Sequence, residues 1–102
     1  MDLKHLQHLA YFVAVYEAKG FSRASDLLGT VQSNVSTRVK QLETLLGVAL
    51  FERRYRHVVP TEKGQQLYGQ AKELIAAAHK AEQSIHHPSE TLKSKESANA
   101  NA

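Results

Sequence analysis

Apolar residues recur every three or four positions in three consecutive stretches at the start of the chain, a pattern that predicts three helices. The first helix is expected over about residues 4–19, and Ser22 is a predicted N-cap of the second. Gly20, Gly29 and Gly47 follow the three stretches, where glycine ends a helix at no steric cost. The predicted inner positions are Leu6, Leu9, Phe12, Val13 and Tyr16 in the first helix, Ala24, Leu27 and Leu28 in the second, and Val35, Val39, Leu42 and Leu46 in the third.

The second and third predicted helices, at about residues 21–40, have the layout of a helix-turn-helix motif. Opposite its apolar side, the third helix carries short hydroxyls and one cation, at Ser33, Ser36, Thr37 and Lys40. Such a face can enter a DNA major groove and offer hydrogen bonds to base edges. The solvated face of a small helical bundle gives the same pattern, and the motif alone does not separate the two interpretations.

After Gly47 the apolar residues become β-branched or aromatic, which indicates strands. We expect one strand at about residues 49–53 and another at 57–59, with Arg54–Arg56 at the tip. Beside a recognition helix, such a basic hairpin is a wing that reaches a phosphate or the neighbouring minor groove. A solvated edge hairpin is the competing interpretation, and the cluster of three arginines favours the wing.

Small or apolar residues then alternate at spacings of three and four from Gly64 to Ile85, as in the heptad seam of a long helix. Thr61 is its expected N-cap, and the helix is expected to end near Pro88. A core of about sixty residues is too small to cover the whole seam, so we expect a homodimer through this helix. The alternative is that the seam folds back onto the first helix of its own chain. The expected interface positions are Leu67, Ala71, Leu74, Ala78, Ala81 and Ile85.

Length and composition limit the possible classes of protein. A chain of 102 residues without cysteine holds one domain and neither a disulfide nor a cysteine-based metal site. No stretch resembles a secretion signal or a membrane span, so a cytoplasmic protein without a membrane partner is expected.

From the order of the predicted elements we expect a DNA-binding domain at residues 1–61, a linker and dimerisation helix at 62–87, and a polar, disordered tail at 88–102.

The net charge of +3 is concentrated in the middle third of the sequence. Residues 30–60 hold five arginines and lysines against two glutamates, whereas the segments on either side each sum to zero. A local excess of cations is the electrostatic signature of a phosphate-backbone contact. The charge distribution therefore favours DNA over the bundle interpretation.

These motifs together resemble the DNA-binding domain of LysR-type transcriptional regulators, over about residues 6–78. The similarity covers LxxFVAVxExxxF at 9–21, RAxxLL at 23–28, VQSxVSxRVKQLExLLGVxLFERxxR at 31–56 and PTEKG at 60–64. It implies a mainly α fold, a winged helix-turn-helix of three helices and a two-stranded wing followed by a long linker helix. It also implies a dimer whose recognition helices bind an interrupted inverted repeat in double-stranded DNA.

The resemblance assigns base contacts to Gln32, Ser33, Ser36 and Thr37 and a wing contact to Arg56, with Ser22 and Arg23 at the backbone. From position alone, the other candidate backbone or wing contacts are Arg38, Lys40, Arg53 and Arg54, although Arg53 can equally be a structural partner of its neighbour Glu52.

Two positions of the third helix depart from the family pattern. Many members carry arginine or lysine at the position of Thr37, where bidentate bonding to guanine is possible, and threonine cannot form that contact. Val31 stands where a threonine or serine cap is usual, and Thr30 lies one residue early. The start of the recognition helix is therefore expected to differ.

LysR-type regulators continue into an effector-binding domain, and no such domain follows in these residues, so we expect no small-molecule effector site here. A second hypothesis is consequently an interaction protein that pairs through the seam with a full-length regulator and modulates it. Neither an enzyme nor a cofactor or metal is expected. His79 and His86 share a helix face without a carboxylate to complete a ligand set, and no catalytic motif appears.

Overall fold

The structure is a computed structural model that describes residues 5–55 and 57–86. Arg56 and the predicted tail at 88–102 lie outside the described residues. The elements in chain order are α1 (Leu6–Ala18), α2 (Phe21–Leu28), α3 (Gln32–Leu46), β1 (Phe51–Arg54), β2 (His57–Pro60) and α4 (Glu62–His86). This order confirms the predicted mainly α fold, a winged helix-turn-helix followed by a long helix. The described chain divides into two units, the first ending at Lys72 and the second beginning at Glu73.

The core of the first unit lies where α1, α2 and α3 pack against one another. Val35, Val39 and Leu42 of α3 are buried, as the spacing predicts, whereas the fourth predicted position, Leu46 in the last turn, is 38% exposed. In α1 the most buried side chains are Phe12 and Val15, and the predicted inner residues Leu6, Val13 and Tyr16 are only partly covered. Because α1 contacts both α2 and α3, its buried side is broader than one stripe and is centred on Phe12. In α2, Leu27 is 72% exposed although it occupies an apolar position of the pattern.

The helix ends agree with the predicted glycine caps at two of three places. Gly29 and Gly47 adopt left-handed conformations, with φ of 68° and 74°. After α1, however, Lys19 takes the left-handed position with φ of 62°, and Gly20 is extended. The prediction of Ser22 as the N-cap of α2 is also wrong, because the helix already begins at Phe21 and Gly20 precedes it.

The strands β1 and β2 form an antiparallel hairpin in which Phe51 pairs with Pro60 and Arg54 with His57. The first strand begins two residues later than predicted. The N–H of Leu50 donates to Glu43 Oε2 at 2.7 Å, so Leu50 is bonded to α3 instead of to the second strand. Arg54 is the last residue of β1 and not part of the turn.

The first turns of α4 are fixed to the first unit by its N-cap and by close packing. Thr61 Oγ1 accepts the N–H of Gly64 at 3.0 Å, which confirms the predicted cap, and donates to the carbonyl of Ala49 at 2.7 Å. Gly64 lies so close to the Leu50 carbonyl that a side chain there would overlap it. Ala71 is 1% exposed.

The burial of this part of α4 corrects the predicted dimer seam. Ala71 is covered by its own chain and has no surface left for a partner, and Leu67 also packs partly against the core. Tyr68 stacks on Tyr16 of α1 with 3.9 Å between ring centroids, and its hydroxyl donates to Glu17 at 2.6 Å. In these turns α4 therefore packs on its own chain, and Tyr68 and Lys72 contact α1.

The described residues of the second unit, 73–86, continue α4 to its end at His86. Leu74 is 46% exposed and Ile85 is 74% exposed, and Ala78 and Ala81 between them are exposed as well. The later half of the predicted seam is therefore an uncovered stripe. Across residues 5–55 and 57–86, no helix is both long enough and apolar enough to cross a membrane.

Candidate nucleic-acid interface

The first turns of α3 present a polar face to solvent. Gln32, Ser33, Thr37 and Lys40 are exposed and Ser36 is half-buried. Since Val35, Val39 and Leu42 fix the opposite side of the helix in the core, these polar residues cannot turn inward. The four predicted base contacts thus lie on the first two turns of one helix, and no large apolar side chain occurs among them.

At the start of α3, the side-chain hydrogen bonds come from its third residue, Asn34, and not from an N-cap residue. Val31 occupies the N-cap position in an extended conformation and forms no side-chain cap. The Asn34 amide donates to Thr30 Oγ1 at 3.1 Å and to the Tyr11 hydroxyl at 3.4 Å. The start of α3 therefore differs from the usual threonine or serine cap, as expected from Thr30 and Val31. Asn34 was missed from the sequence, and its spacing of four from Thr30 was the only available signal.

Predicted contacts from three elements line one cleft of about 470 Å³. Ser22 and Arg23 come from the first turn of α2, Gln32 from the start of α3, and Arg53 from the hairpin, where His57, which was not a predicted contact, also lines the cleft. Residues far apart in sequence are brought together because the hairpin packs beside the helix-turn-helix. The cleft joins the polar face of α3 to two arginines, Arg23 and Arg53.

Arg53 contacts the other elements more closely than a solvated arginine would. Its Nη2 donates to Ser36 Oγ at 3.2 Å, and its guanidinium carbon lies 4.3 Å from the centroid of the Phe21 ring. Glu52 instead pairs with Arg54 at 2.8 Å, so Arg53 is a structural contact of Ser36 and Phe21 and not the ion-pair partner that the sequence had left open. The structure therefore brings a predicted wing contact and a predicted base contact into a direct hydrogen bond.

The two glutamates of the basic middle third are both engaged. Glu43 Oε2 accepts the backbone N–H groups of Leu50 and Phe51, at 2.7 and 3.3 Å, and Glu52 bonds Arg54. Among the described residues, Arg38 and Lys40 have no carboxylate partner. Their positive charge is left for an external anion.

Arg38 lies towards α1, in a cleft of about 660 Å³ that His5 and His8 also line. Its guanidinium carbon is 5.6 Å from the centroid of the Tyr11 ring. Burial, reinforced by the positive charge of Arg38 and by His5, lowers the pKa of His8 below its usual value. Within the described chain, no group of three or more side chains is placed to hold a metal ion.

A recognition helix with an exposed polar face, a preceding helix joined by a glycine turn, and a basic hairpin beside them define a winged helix-turn-helix protein. Residues 6–65 match the model of the bacterial regulatory helix-turn-helix proteins of the lysR family. This match covers more than half of the chain, and the chain belongs to that family.

Known relatives and solved structures agree with this assignment. The uncharacterised HTH-type transcriptional regulator YfeR of Shigella flexneri is 50% identical over 62 residues, which cover 61% of this chain and 20% of YfeR. The HTH-type transcriptional regulator BenM of Acinetobacter baylyi is 41% identical over 71 residues, which cover 70% of this chain and 23% of BenM. The chain therefore spans about a fifth to a quarter of these two regulators.

The fold is also similar to that of the BenM DBD in its crystal structure with benA site 1 DNA. The TM-score is 0.76 at 35% identity, and the superposition covers 84% of this chain and 93% of that one. The predicted resemblance to the DNA-binding domain of LysR-type regulators is thereby confirmed.

Proposed function

We propose that this chain binds double-stranded DNA in a sequence-specific manner, as the DNA-binding module of a LysR-type transcriptional regulator in the cytoplasm. The observation that carries the proposal is the exposed polar face of α3, on a fold whose 35%-identical structural neighbour is a DNA complex. In this proposal residues 1–61 are the DNA-binding domain, residues 21–40 its helix-turn-helix, and residues 62–87 the linker helix.

The proposed roles follow from exposure and chemistry. Gln32, Ser33, Ser36 and Thr37 contact base edges in the major groove, where glutamine bonds adenine well and threonine offers a hydroxyl and a methyl group. The cations around this face bind phosphates and supply affinity without sequence preference. These backbone contacts are proposed for Ser22, Arg23, Arg38, Lys40, Arg54 and Arg56.

We further propose that two copies pair through the exposed stripe Leu74, Ala78, Ala81 and Ile85. Each alanine buries little area, so the pairing is weak unless DNA holds both copies. Two recognition helices on one DNA face then bind half-sites of an interrupted inverted repeat about one helical turn apart, ~34 Å. The same stripe also suits the second candidate function, pairing with a longer regulator.

The experiment is selection of bound duplexes from a random DNA pool, followed by anisotropy titration of the enriched sequence at several salt concentrations. An enriched inverted repeat bound by two chains supports the proposal. Salt-sensitive binding without an enriched motif would contradict sequence specificity. If the chain binds no DNA but exchanges into the dimer of a longer regulator, the second function is the correct one.

Gln32→Ala tests base contact by α3. We expect affinity for the selected sequence to fall by ~1–3 kcal/mol and one base position to lose its preference. Glutamine is exposed on the first turn, so the fold should be unaffected, and Gln66→Ala, on the exposed side of α4, is a matched control. An unchanged selected motif would exclude the assigned role.

A further inference from the structure

Arg53 lies where the hairpin meets the recognition helix, and its side chain packs on an aromatic ring of the core. Its guanidinium rests on the ring of Phe21, which is 7% exposed and packs edge-on against Phe51 at 6.2 Å between centroids. From this position Nη2 reaches Ser36 Oγ at 3.2 Å. The buried rings limit the movement of the guanidinium, so the hydrogen bond has a defined direction.

Ser36 is the one side-chain acceptor of Arg53 in the described part of the chain. Glu52 is bonded to Arg54, and the carboxylate of Glu43 accepts two backbone N–H groups. A carboxylate partner would have neutralised the charge of the arginine in an ion pair. The hydroxyl of Ser36 is neutral, so the charge of the guanidinium remains and polarises the hydroxyl. The charge of Arg53 therefore acts on the chemistry of Ser36.

A serine hydroxyl has one hydrogen to donate and two lone pairs to accept with. Arg53 occupies one lone pair, and no acceptor within residues 5–55 and 57–86 receives the hydrogen of Ser36. A second donor that approached this oxygen would also meet the positive charge of the guanidinium. The hydroxyl is thus left as a polarised donor on the half-buried edge of the polar face of α3.

We propose that Arg53 determines sequence specificity through Ser36: it fixes the hydroxyl as a hydrogen-bond donor, so that Ser36 selects a keto base and rejects an amino base. In the major groove, guanine presents O6 and thymine presents O4, whereas cytosine and adenine present amino groups. The inference rests on the proposed DNA binding. Arg53 is here a positioning residue and not a phosphate contact.

The test is random-pool selection with the wild type, Ser36→Ala, Arg53→Met and the double variant. Methionine keeps an apolar stem over Phe21 and removes the donor. We expect Ser36→Ala to weaken, by about two- to tenfold, the preference at one position that holds guanine or thymine in the wild-type motif. Arg53→Met relaxes the same position, and the double variant relaxes it no further, because the two residues act as one unit.

Arg54→Met is the matched control, since it removes the same charge from the next residue of the strand. It should lower affinity without changing the keto preference. If Arg53→Met behaves in the same way, lowering the salt slope by about one and keeping every base preference, then Arg53 is a phosphate contact and the inference is wrong.

Two further outcomes separate this inference from the proposed function. Should Ser36→Ala relax a position that holds cytosine or adenine, the inference fails while the DNA-binding function stands, and this result does not require Arg53→Met to fold. If wild-type selection enriches no sequence at all, the proposed function fails and the inference with it.

Discussion

The two halves of α4 carry the same spacing of small and apolar residues but differ in what covers them. Between Gly64 and Ala71 the stripe is closed by the core of its own chain, with a glycine against a backbone carbonyl and an alanine 1% exposed. Between Leu74 and Ile85 the stripe is exposed. The same heptad spacing thus occurs on a covered and on an uncovered part of one helix, so the spacing alone does not show whether a helix face is covered, or by what.

The largest expected effect on stability comes from adding a side chain at Gly64, which lies in close contact with the Leu50 carbonyl. The added methyl group of Gly64→Ala would overlap the Leu50 carbonyl, a backbone group that cannot move aside. We expect a loss near the upper end of the ~1–3 kcal/mol typical of overpacking, measured by urea unfolding.

Gly69 supplies the control, because a methyl group there meets open space on the same helix. Gly69→Ala should stabilise the chain by up to ~1 kcal/mol through helix propensity. Equal changes for the two variants would show that Gly64 is not packed as described.

The second prediction concerns the exposed half. Leu74→Asp places charge on the uncovered stripe, so we expect self-association to be lost while the monomer unfolds at nearly the same urea concentration. Because pairing without DNA is expected to be weak, sedimentation equilibrium is run at protein concentrations at which the wild type dimerises. A monomer–dimer equilibrium identical to that of the wild type would exclude this stripe as the interface.

The smallest effect is expected from the polar contacts that attach the early turns of α4 to α1. Hydrogen bonds from Tyr68 and then from Lys72 lower the pKa of Glu17 below its usual value. A carboxylate with a lowered pKa contributes stability at pH above its unfolded value of 4.5, and this contribution is lost as pH falls through the folded pKa. The glutamate and the lysine are about half exposed, so water screens the pair and the contribution is small.

Glu17→Gln measures that contribution. We expect the variant to be slightly less stable than the wild type near neutral pH and equal to it at pH well below the folded pKa of Glu17, since the wild-type carboxylate is then protonated. Thermal unfolding across this pH range gives the difference directly. If the stability difference between the wild type and the variant grew as the pH was lowered, the lowered pKa assigned to Glu17 would be wrong.

What could be predicted from the sequence depended on whether a feature is local. The left-handed caps at Gly29 and Gly47 and the cap at Thr61 follow from a few neighbouring residues and were predicted, although the equally local caps at Gly20 and Ser22 were predicted wrongly. The Arg53–Ser36 bond joins residues 17 positions apart across two elements, and nothing in either segment signals it. Likewise, the covering of Ala71 depends on where α4 packs, which no spacing within α4 encodes.

The family assignment could be predicted because its motifs extend across most of the domain in order. The predicted base contacts have the exposure that their roles require, yet their contacts to DNA stay predictions. The start of α3 is the exception, since a three-way contact of Asn34, Thr30 and Tyr11 replaces the usual cap.

We propose that α3 binds DNA and that the exposed half of α4 joins two copies of the chain. The most direct test is binding to the selected inverted repeat with the spacer between half-sites lengthened by half a helical turn, about 5 base pairs. We expect affinity to fall at least tenfold, because the second recognition helix then faces the opposite side of the duplex. Undiminished binding of two chains would mean that the copies bind independently, and the claim would be wrong.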